Sequence, residues 1–165
     1  MDNPDIYKSN NCLIFDFETT NLDKGSAKNP NNRIILTVVS DLSGKKQYKW
    51  GNEFEIATWL DRKIKEADYI VAHNAKFELS WLERCGIELH TLPPVWCTQI
   101  GEYVLLSNRC RGLQELSLDK SCKRRGLPQK ESLVSFLIDA GVCPSEIPEN
   151  LLLSYCIQDF ASQEV

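Results

Sequence analysis

The sequence has little of several features that define large protein classes. Its 165 residues contain only two histidines, His73 and His90, and seven cysteines without a CxxC pair, so no zinc site is expected. The odd number of cysteines argues against a closed disulfide framework and favours reduced thiols. The apolar run after Asn11 is too short to span a bilayer, and residues 1–11 lack the charge pattern of a secretory signal. A cytoplasmic protein with no membrane partner is expected.

Two acidic residues near the start of the chain stand in an apolar segment. Residues 12–17 read CLIFDF, which predicts a strand buried on both faces of an α/β sheet. Asp16 and Glu18 are two positions apart, so their side chains leave the same face. Two carboxylates about 4 Å apart repel by roughly 4 kcal/mol at an effective dielectric of 20, and a divalent cation removes this cost. Oxygen ligands favour Mg²⁺ or Mn²⁺; taken alone, two solvated carboxylates explain the segment equally well.

Another acidic residue lies near the other end of the chain. The apolar residues after Pro148 are spaced as in a helix, on which Tyr155 and Asp159 are four positions apart and share a face. A phenol one turn from a carboxylate can hydrogen-bond a water bound to the metal that the carboxylate holds. Taken alone, the spacing is better explained by an ordinary amphipathic helix with a half-buried tyrosine.

The middle of the chain supplies a further carboxylate. Residues 67–72, ADYIVA, predict a short buried strand, and a helix is expected after it. Asn74 is suited to the N-cap of that helix. Glu78 then lies one turn in, near the positive end of the helix dipole. Taken alone, these residues are explained by capping and a solvated glutamate.

Together, the segments FDFET, HNxxFE and YxxxD resemble, in this order, the three exonuclease motifs of the DEDD, or DnaQ-like, 3′–5′ exonuclease superfamily. The tyrosine is typical of the subclass that includes the proofreading domain of family A DNA polymerases. The stretches WCTQIGEYVLL (96–106) and GLQELSLDKSCKRRGL (112–127) resemble intervening segments of bacterial and phage polymerase-linked members. The resemblance implies an α/β, ribonuclease H-like fold, in which a mixed β-sheet is flanked by α-helices.

The resemblance also assigns roles to individual residues. Asp16, Glu18 and Asp159 match metal-binding carboxylates, and Tyr155 matches the residue that orients the nucleophilic water. Glu78 matches the fourth carboxylate, which is typically Asp, so its extra methylene must be absorbed by a rotamer change, a backbone shift or a water. The positions that match contacts to the 3′-terminal nucleotide are Thr19, Thr20, Leu22, Asn74 and Phe77.

The activity that the resemblance implies is hydrolysis at the 3′ end of single-stranded DNA with two Mg²⁺ or Mn²⁺ ions, releasing nucleoside 5′-monophosphates. A DNA polymerase, in cis or in trans, is the implied protein partner, in a bacterial cell or a phage-infected host. One alternative is a 3′–5′ exoribonuclease of the same superfamily. Another is a nucleic-acid-binding module with weakened catalysis, suggested by Glu78 and by the few residues after Asp159.

The charge of the chain fits nucleic-acid binding only in part. The net charge is −4, whereas phosphate contacts usually come from a basic surface. Basic residues are nevertheless grouped, and either a path for a single strand or a solvated helix face explains the last group. The groups are Lys24 and Lys28, then Arg109 and Arg111, and then Lys120, Lys123, Arg124 and Arg125.

The order of predicted elements is that of an α/β domain. Strands are expected at 12–17, 33–40, 46–50 and 69–72, a helix at 53–66, and mostly helices after residue 72. Ser43-Gly44 predicts a hairpin turn, and Asn21–Asn32, rich in Asn, Lys and Gly, predicts a mobile loop. We expect one domain over residues 1–165, as a standalone exonuclease or as a piece of a longer polymerase.

Overall fold

A computed structural model of the chain describes residues 11–127 and 133–163, with the side chains of residues 159 and 161–163 outside this description. The strands are β1 (Cys12–Thr19), β2 (Ile34–Ser40), β3 (Lys46–Trp50), β4 (Tyr69–Ala72) and β5 (Val95–Cys97). The helices are α1 (Glu53–Glu66), α2 (Lys76–Arg84), α3 (Thr98–Leu106), α4 (Leu118–Arg124), α5 (Leu133–Asp139) and α6 (Glu149–Gln163). Short 3₁₀ turns lie at Leu22–Gly25, Leu89–Thr91, Ser107–Arg109, Leu113–Leu116 and Pro144–Glu146.

The strands form one mixed sheet in the order β3-β2-β1-β4-β5. The first three strands are antiparallel neighbours, whereas β4 runs parallel to β1 and β5 runs parallel to β4. Helices cover the sheet, so the predicted α/β fold with a mixed sheet is confirmed. Among the described residues, no helix is long and apolar enough to cross a bilayer.

The first strand is buried on both faces, as its apolar run predicts. Leu13, Phe15 and Phe17 pack in a cluster with apolar residues of α1 and α2. Cys12 and Ile14, on the opposite face, pack in a second cluster that includes residues of α6. Alternation along β1 therefore separates two layers of core, and the even-numbered positions face α6.

The hairpin between β2 and β3 has the predicted turn. Gly44 has a φ of 76°, a left-handed conformation that glycine adopts without steric cost. Asp41 Oδ1 accepts hydrogen bonds from the backbone N–H of Ser43, at 2.8 Å, and of Lys45, at 3.2 Å. These bonds lower the pKa of Asp41, the hydrogen bond from the Ser43 hydroxyl contributing most. The turn residues thus fix the register of the hairpin.

The structure adds one short strand to the predicted elements and corrects one expected helix cap. The region after residue 72 contains the additional strand β5, which is three residues long and was not predicted because so short a segment has no visible periodicity. Asn74 is not the N-cap of α2, since the helix begins at Lys76 with Ala75 as its N-cap. Asn74 instead has a φ of 58°, and its carbonyl accepts from Phe77 N at 2.8 Å. Asn tolerates this left-handed turn better than most residues.

The loop at Asn21–Asn32, whose mobility stays a prediction, makes several hydrogen bonds through side chains. Asn32 is buried and binds Leu22 N, Leu22 O and Ser26 O. The guanidinium of Arg84 donates to Ala27 O at 3.1 Å, Asn29 O at 2.7 Å and Asn32 O at 2.7 Å. Helix α2 therefore anchors the loop, through contacts that link residues more than 50 positions apart.

Candidate functional site

The strand β1 carries Asp16 and Glu18 toward its carboxyl end. The residues Cys12 and Ile14 on this face pack against the cluster that includes α6, and alternation places the two carboxylates on the same face. Both acidic residues are half-buried. The contact of Glu18 with Cys156 of α6 agrees with this face for Glu18, and the shared face of the two carboxylates stays a prediction.

Helix α2 places Glu78 inside the protein rather than in solvent. Glu78 lies in the first turn of α2 and is 2% exposed. Burial raises the pKa of Glu78 well above its usual value, and the negative charge of Asp16 raises it further. Its Oε2 is buried and accepts no hydrogen bond from the residues that the structure describes. A buried carboxylate with an unsatisfied oxygen, beside a second carboxylate, is costly without a compensating cation.

Helix α6 joins the site through Glu18. The thiol of Cys156 donates a hydrogen bond to Glu18 Oε1, with an S···O distance of 3.2 Å. Tyr155, the preceding residue, is half-buried at the edge of the second core cluster. Asp159 lies one turn further along α6, and its side chain lies outside the described residues. The first and third sequence segments are therefore in contact.

The structure thus links the three predicted segments in pairs. Burial and then the negative charge of Asp16 raise the pKa of Glu78, and Glu18 is in contact with α6. Among the side chains that the structure describes, which exclude Asp159, no group of three or more His, Cys, Asp or Glu residues is arranged to hold a metal ion. The ligand roles of Asp16, Glu18, Glu78 and Asp159 stay predictions, as does the role of Tyr155.

Several of the residues predicted to contact a 3′ nucleotide lie around Gly25. A Cβ on Gly25 would lie 2.5 Å from Thr19 Oγ1 and 3.4 Å from Phe77 Cζ, so the loop, the end of β1 and α2 meet closely there. Leu22 is exposed by 50% and Asn74 is also exposed. Both are accessible to a ligand, and these contacts stay predictions.

The hydroxyl of Thr20 is engaged within the protein. It donates to Asn32 Oδ1 at 3.0 Å and accepts from Arg33 N at 2.9 Å. Thr20 is also buried. Its demonstrated contacts are with the loop, and its predicted substrate contact stays a prediction.

Sequence reasoning missed the partners of the acidic residues. Cys156 lies within the YxxxD segment but has no role in that pattern, and its hydrogen bond to Glu18 joins positions 138 apart. His73, the first residue of the HNxxFE segment, is half-buried, and its Nδ1 lies 2.9 Å from the Thr98 hydroxyl. A tertiary contact of this kind leaves no local signal in the sequence.

The basic group at the end of α4 has partners within the protein. Arg124 and Arg125 both bind the carboxylate of Glu102, a residue of α3 that is 6% exposed. Burial alone would raise the pKa of Glu102, but hydrogen bonds from Arg125 and Arg124 outweigh burial and lower it. Lys120 pairs with Glu115 at 2.7 Å. This arrangement favours a structural role for these cations over a path for phosphates.

Comparison with known proteins shows similarity in structure but not in sequence. No protein-family model matches the chain, and no curated protein sequence matches it. A family B DNA polymerase from the hyperthermophilic archaeon Pyrobaculum calidifontis aligns with a TM-score of 0.63 and 14% identity over 94% of this chain. The chain spans only 24% of that polymerase's length. NrnC from Brucella melitensis, solved with bound Mg²⁺, aligns with a TM-score of 0.50 and 16% identity over 98% of this chain and 88% of NrnC.

These similarities concern the fold. At identities of 14–16%, they support the ribonuclease H-like fold that the sequence motifs imply. Fold similarity does not by itself assign a reaction, because one fold hosts many chemistries. The function must therefore be inferred from the carboxylates of this chain.

Proposed function

We propose that this chain is a two-metal-ion 3′–5′ exonuclease that hydrolyses phosphodiester bonds at the 3′ end of single-stranded DNA and releases nucleoside 5′-monophosphates. The observation that carries the proposal is the buried Glu78 carboxylate. Its Oε2 has no hydrogen-bond partner in the described part of the chain, and burial and the charge of Asp16 raise its pKa. A carboxylate pair of this kind is suited to a divalent cation.

The donor set fits Mg²⁺ or Mn²⁺. Asp16, Glu18, Glu78 and Asp159 supply carboxylate oxygens only, the ligands that these hard cations prefer. Glu78 occurs where the resembled family typically has Asp, and its near-complete burial beside Asp16 indicates that the longer side chain is accommodated inside the site. NrnC, a protein of similar fold, was solved with bound Mg²⁺, which supports the choice of cation.

The chemistry is divided between the ions and the protein. Two divalent ions, when bound, would stabilise negative charge on the attacking and leaving oxygens of the phosphodiester. The four carboxylates would hold the two cations, and the Cys156 thiol donates a hydrogen bond to one oxygen of Glu18. The Tyr155 hydroxyl forms a hydrogen bond with the attacking water and fixes the direction from which the water attacks. Phe77 and Leu22 pack against the terminal nucleotide.

DNA is the proposed substrate for two reasons. The sequence segments between the motifs resemble polymerase-linked exonucleases, and the chain is similar in fold to part of a DNA polymerase. The resemblance of the intervening segments is to DNA enzymes and carries more weight, because the similarity to the polymerase concerns the fold alone. Activity on DNA and RNA oligomers of matched sequence separates the proposal from an exoribonuclease.

The test is digestion of a 5′-labelled single strand in EDTA, Mg²⁺ and Mn²⁺. We expect a ladder of products that shorten by single nucleotides, only with a divalent cation. Asp16→Ala should abolish the ladder, while Asp119→Ala, which removes an exposed carboxylate on α4, should leave it unchanged. Unchanged turnover in Asp16→Ala would overturn the proposal. Retained single-strand binding by the wild type without any product would indicate a binding module instead.

A further inference from the structure

Helix α3 presents its apolar side chains to solvent and its charged side chain to the interior. Glu102 is the buried residue of this helix. The large apolar residues Ile100, Tyr103, Val104 and Leu105 are between 57% and 68% exposed. This is the reverse of an ordinary surface helix, whose apolar stripe faces the core.

The exposed residues form one continuous surface. At 100° per residue, Ile100, Tyr103 and Val104 share a stripe, and Gly101 and Leu105 extend it around the helix. Trp96, 59% exposed, packs on Gly101, since a Cβ there would lie 3.3 Å from Trp96 Cζ2. The α3 patch is defined here as the exposed side chains of Trp96, Ile100, Tyr103, Val104 and Leu105.

The orientation of α3 is fixed by its buried side. Glu102 Oε2 lies 2.7 Å from Arg124 Nη2, and the other carboxylate oxygen binds Arg125. Rotating the helix to bury the α3 patch would break both ion pairs and leave a charge without partners, at a cost of several kcal/mol. The apolar face therefore remains outward in the isolated chain, where it exposes more contiguous apolar surface than single scattered residues would.

We propose that the α3 patch is a self-association surface that a second copy of this chain covers. With about two-thirds of each side chain exposed, the five residues present on the order of 600 Å² of mostly apolar surface. Two copies face to face would bury about 1,200 Å², the lower bound for a specific interface. The patch carries no charged side chain, so contact with itself brings no like charges together. A two-fold dimer pairs the same patch from both chains.

The absence of charge in the patch also separates this proposal from nucleic-acid binding. Single-strand surfaces combine aromatic side chains with cations along the backbone path. The nearby Arg124 and Arg125 are instead paired with Glu102. A protein surface of the same apolar character is the better match, and the proposal does not depend on the exonuclease activity.

The experiment is sedimentation velocity of the full chain from about 1 to 200 μM, a range suited to an interface of this size. We expect a concentration-dependent shift from monomer to dimer in the wild type. Val104→Glu should shift the dissociation constant upward by at least tenfold. Phe54→Glu is the matched control, because Phe54 is an exposed apolar residue of α1 outside the patch, and it should associate like the wild type. Circular dichroism melting verifies that both variants fold.

A charge-swap experiment tests the two-fold contact directly. Val104→Glu and Val104→Lys should each be monomeric, while an equimolar mixture should form a heterodimer, because opposite charges then meet across the interface. A wild type that stays monomeric up to 200 μM would overturn the proposal. Dimerisation of Val104→Glu like that of the wild type would also overturn it. A monomeric wild type, together with loss of single-strand affinity in Val104→Glu, would overturn it and indicate that the α3 patch binds nucleic acid.

Discussion

Replacing Glu78 by Gln should make the metal-free protein more stable. Glu78 is almost fully buried, its Oε2 accepts no hydrogen bond from the described residues, and Asp16 repels its charge. Leaving a buried polar group unsatisfied costs about 1–3 kcal/mol, and more when it is charged. Gln has a similar shape and still places polar atoms there, but it removes the charge and the repulsion by Asp16, which is where the gain arises. We therefore expect the free energy of unfolding in EDTA at pH 8 to rise by about 1–3 kcal/mol.

The same substitution should change the pH dependence of stability. The folded protein holds the Glu78 proton more tightly than the unfolded chain does, because the pKa is raised above 4.5 in the folded state. The stability that Glu78 contributes is therefore fully present below the pKa it has in the unfolded chain. It is lost as the pH rises from that pKa through the raised pKa of the folded state. The wild type should lose stability as the pH rises above the pKa of the unfolded chain, and Glu78→Gln should lose less. The difference between the two proteins should consequently grow with pH.

The assay is thermal and urea unfolding in EDTA and with excess Mn²⁺. At 165 residues, 1 kcal/mol corresponds to about 2–4 °C in Tm. Mn²⁺ at 100 times its dissociation constant should stabilise the wild type by about 2.7 kcal/mol and the variant by much less. Glu83→Gln, an exposed position on the same helix, is the control and should be neutral. Equal or lower stability of Glu78→Gln in EDTA at pH 8, with a neutral control, would refute the reasoning.

Two further substitutions test the contacts around the site. Cys156→Ala removes the donor to Glu18 and should weaken Mn²⁺ binding, measured by calorimetry, roughly tenfold, as loss of a ligand's supporting partner typically does. Cys156→Ser should retain more affinity than Cys156→Ala. Cys122→Ala, which removes another buried thiol, is the control, and equal affinity in Cys156→Ala and Cys122→Ala would contradict the role of Cys156. Arg84→Ala removes the donor to at least three loop carbonyls and should lower the free energy of unfolding by about 2–4 kcal/mol in urea titrations; a change below 1 kcal/mol would show that the loop does not depend on this residue.

The elements that the sequence predicts well are those with a local cause. The apolar run before Asp16 gives β1, Ser43-Gly44 gives the hairpin turn, and α1 spans Glu53–Glu66 as predicted. In each case, the periodicity or the turn chemistry of adjacent residues decides the structure. These local signals are sufficient to place the acidic segments on a strand and two helices.

The features that the sequence does not predict depend on distant partners. β5 is recognisable only through its pairing with β4. The loop at 21–32 is held by hydrogen bonds from Arg84 and from Trp81, whose indole donates to Gly25 O at 3.0 Å. The burial of Glu78 is likewise a tertiary fact, because a glutamate in the first turn of a helix is more often solvated. Composition alone could not distinguish a buried carboxylate from a surface one.

The site therefore depends on strand register more than on any one motif. β1 and β4 are parallel, with Ile14 opposite Val71, so the end of this pairing lies two residues before Asp16 on β1 and close to the point where the chain leaves the sheet for α2. The left-handed turn at Asn74 starts the helix that returns Glu78 to Asp16. A shift of one residue in β1 would exchange Asp16 for a neighbouring phenylalanine on this face. It would separate Glu78 from Asp16 and Glu18 from α6 together, whereas a substitution within one motif removes a single carboxylate.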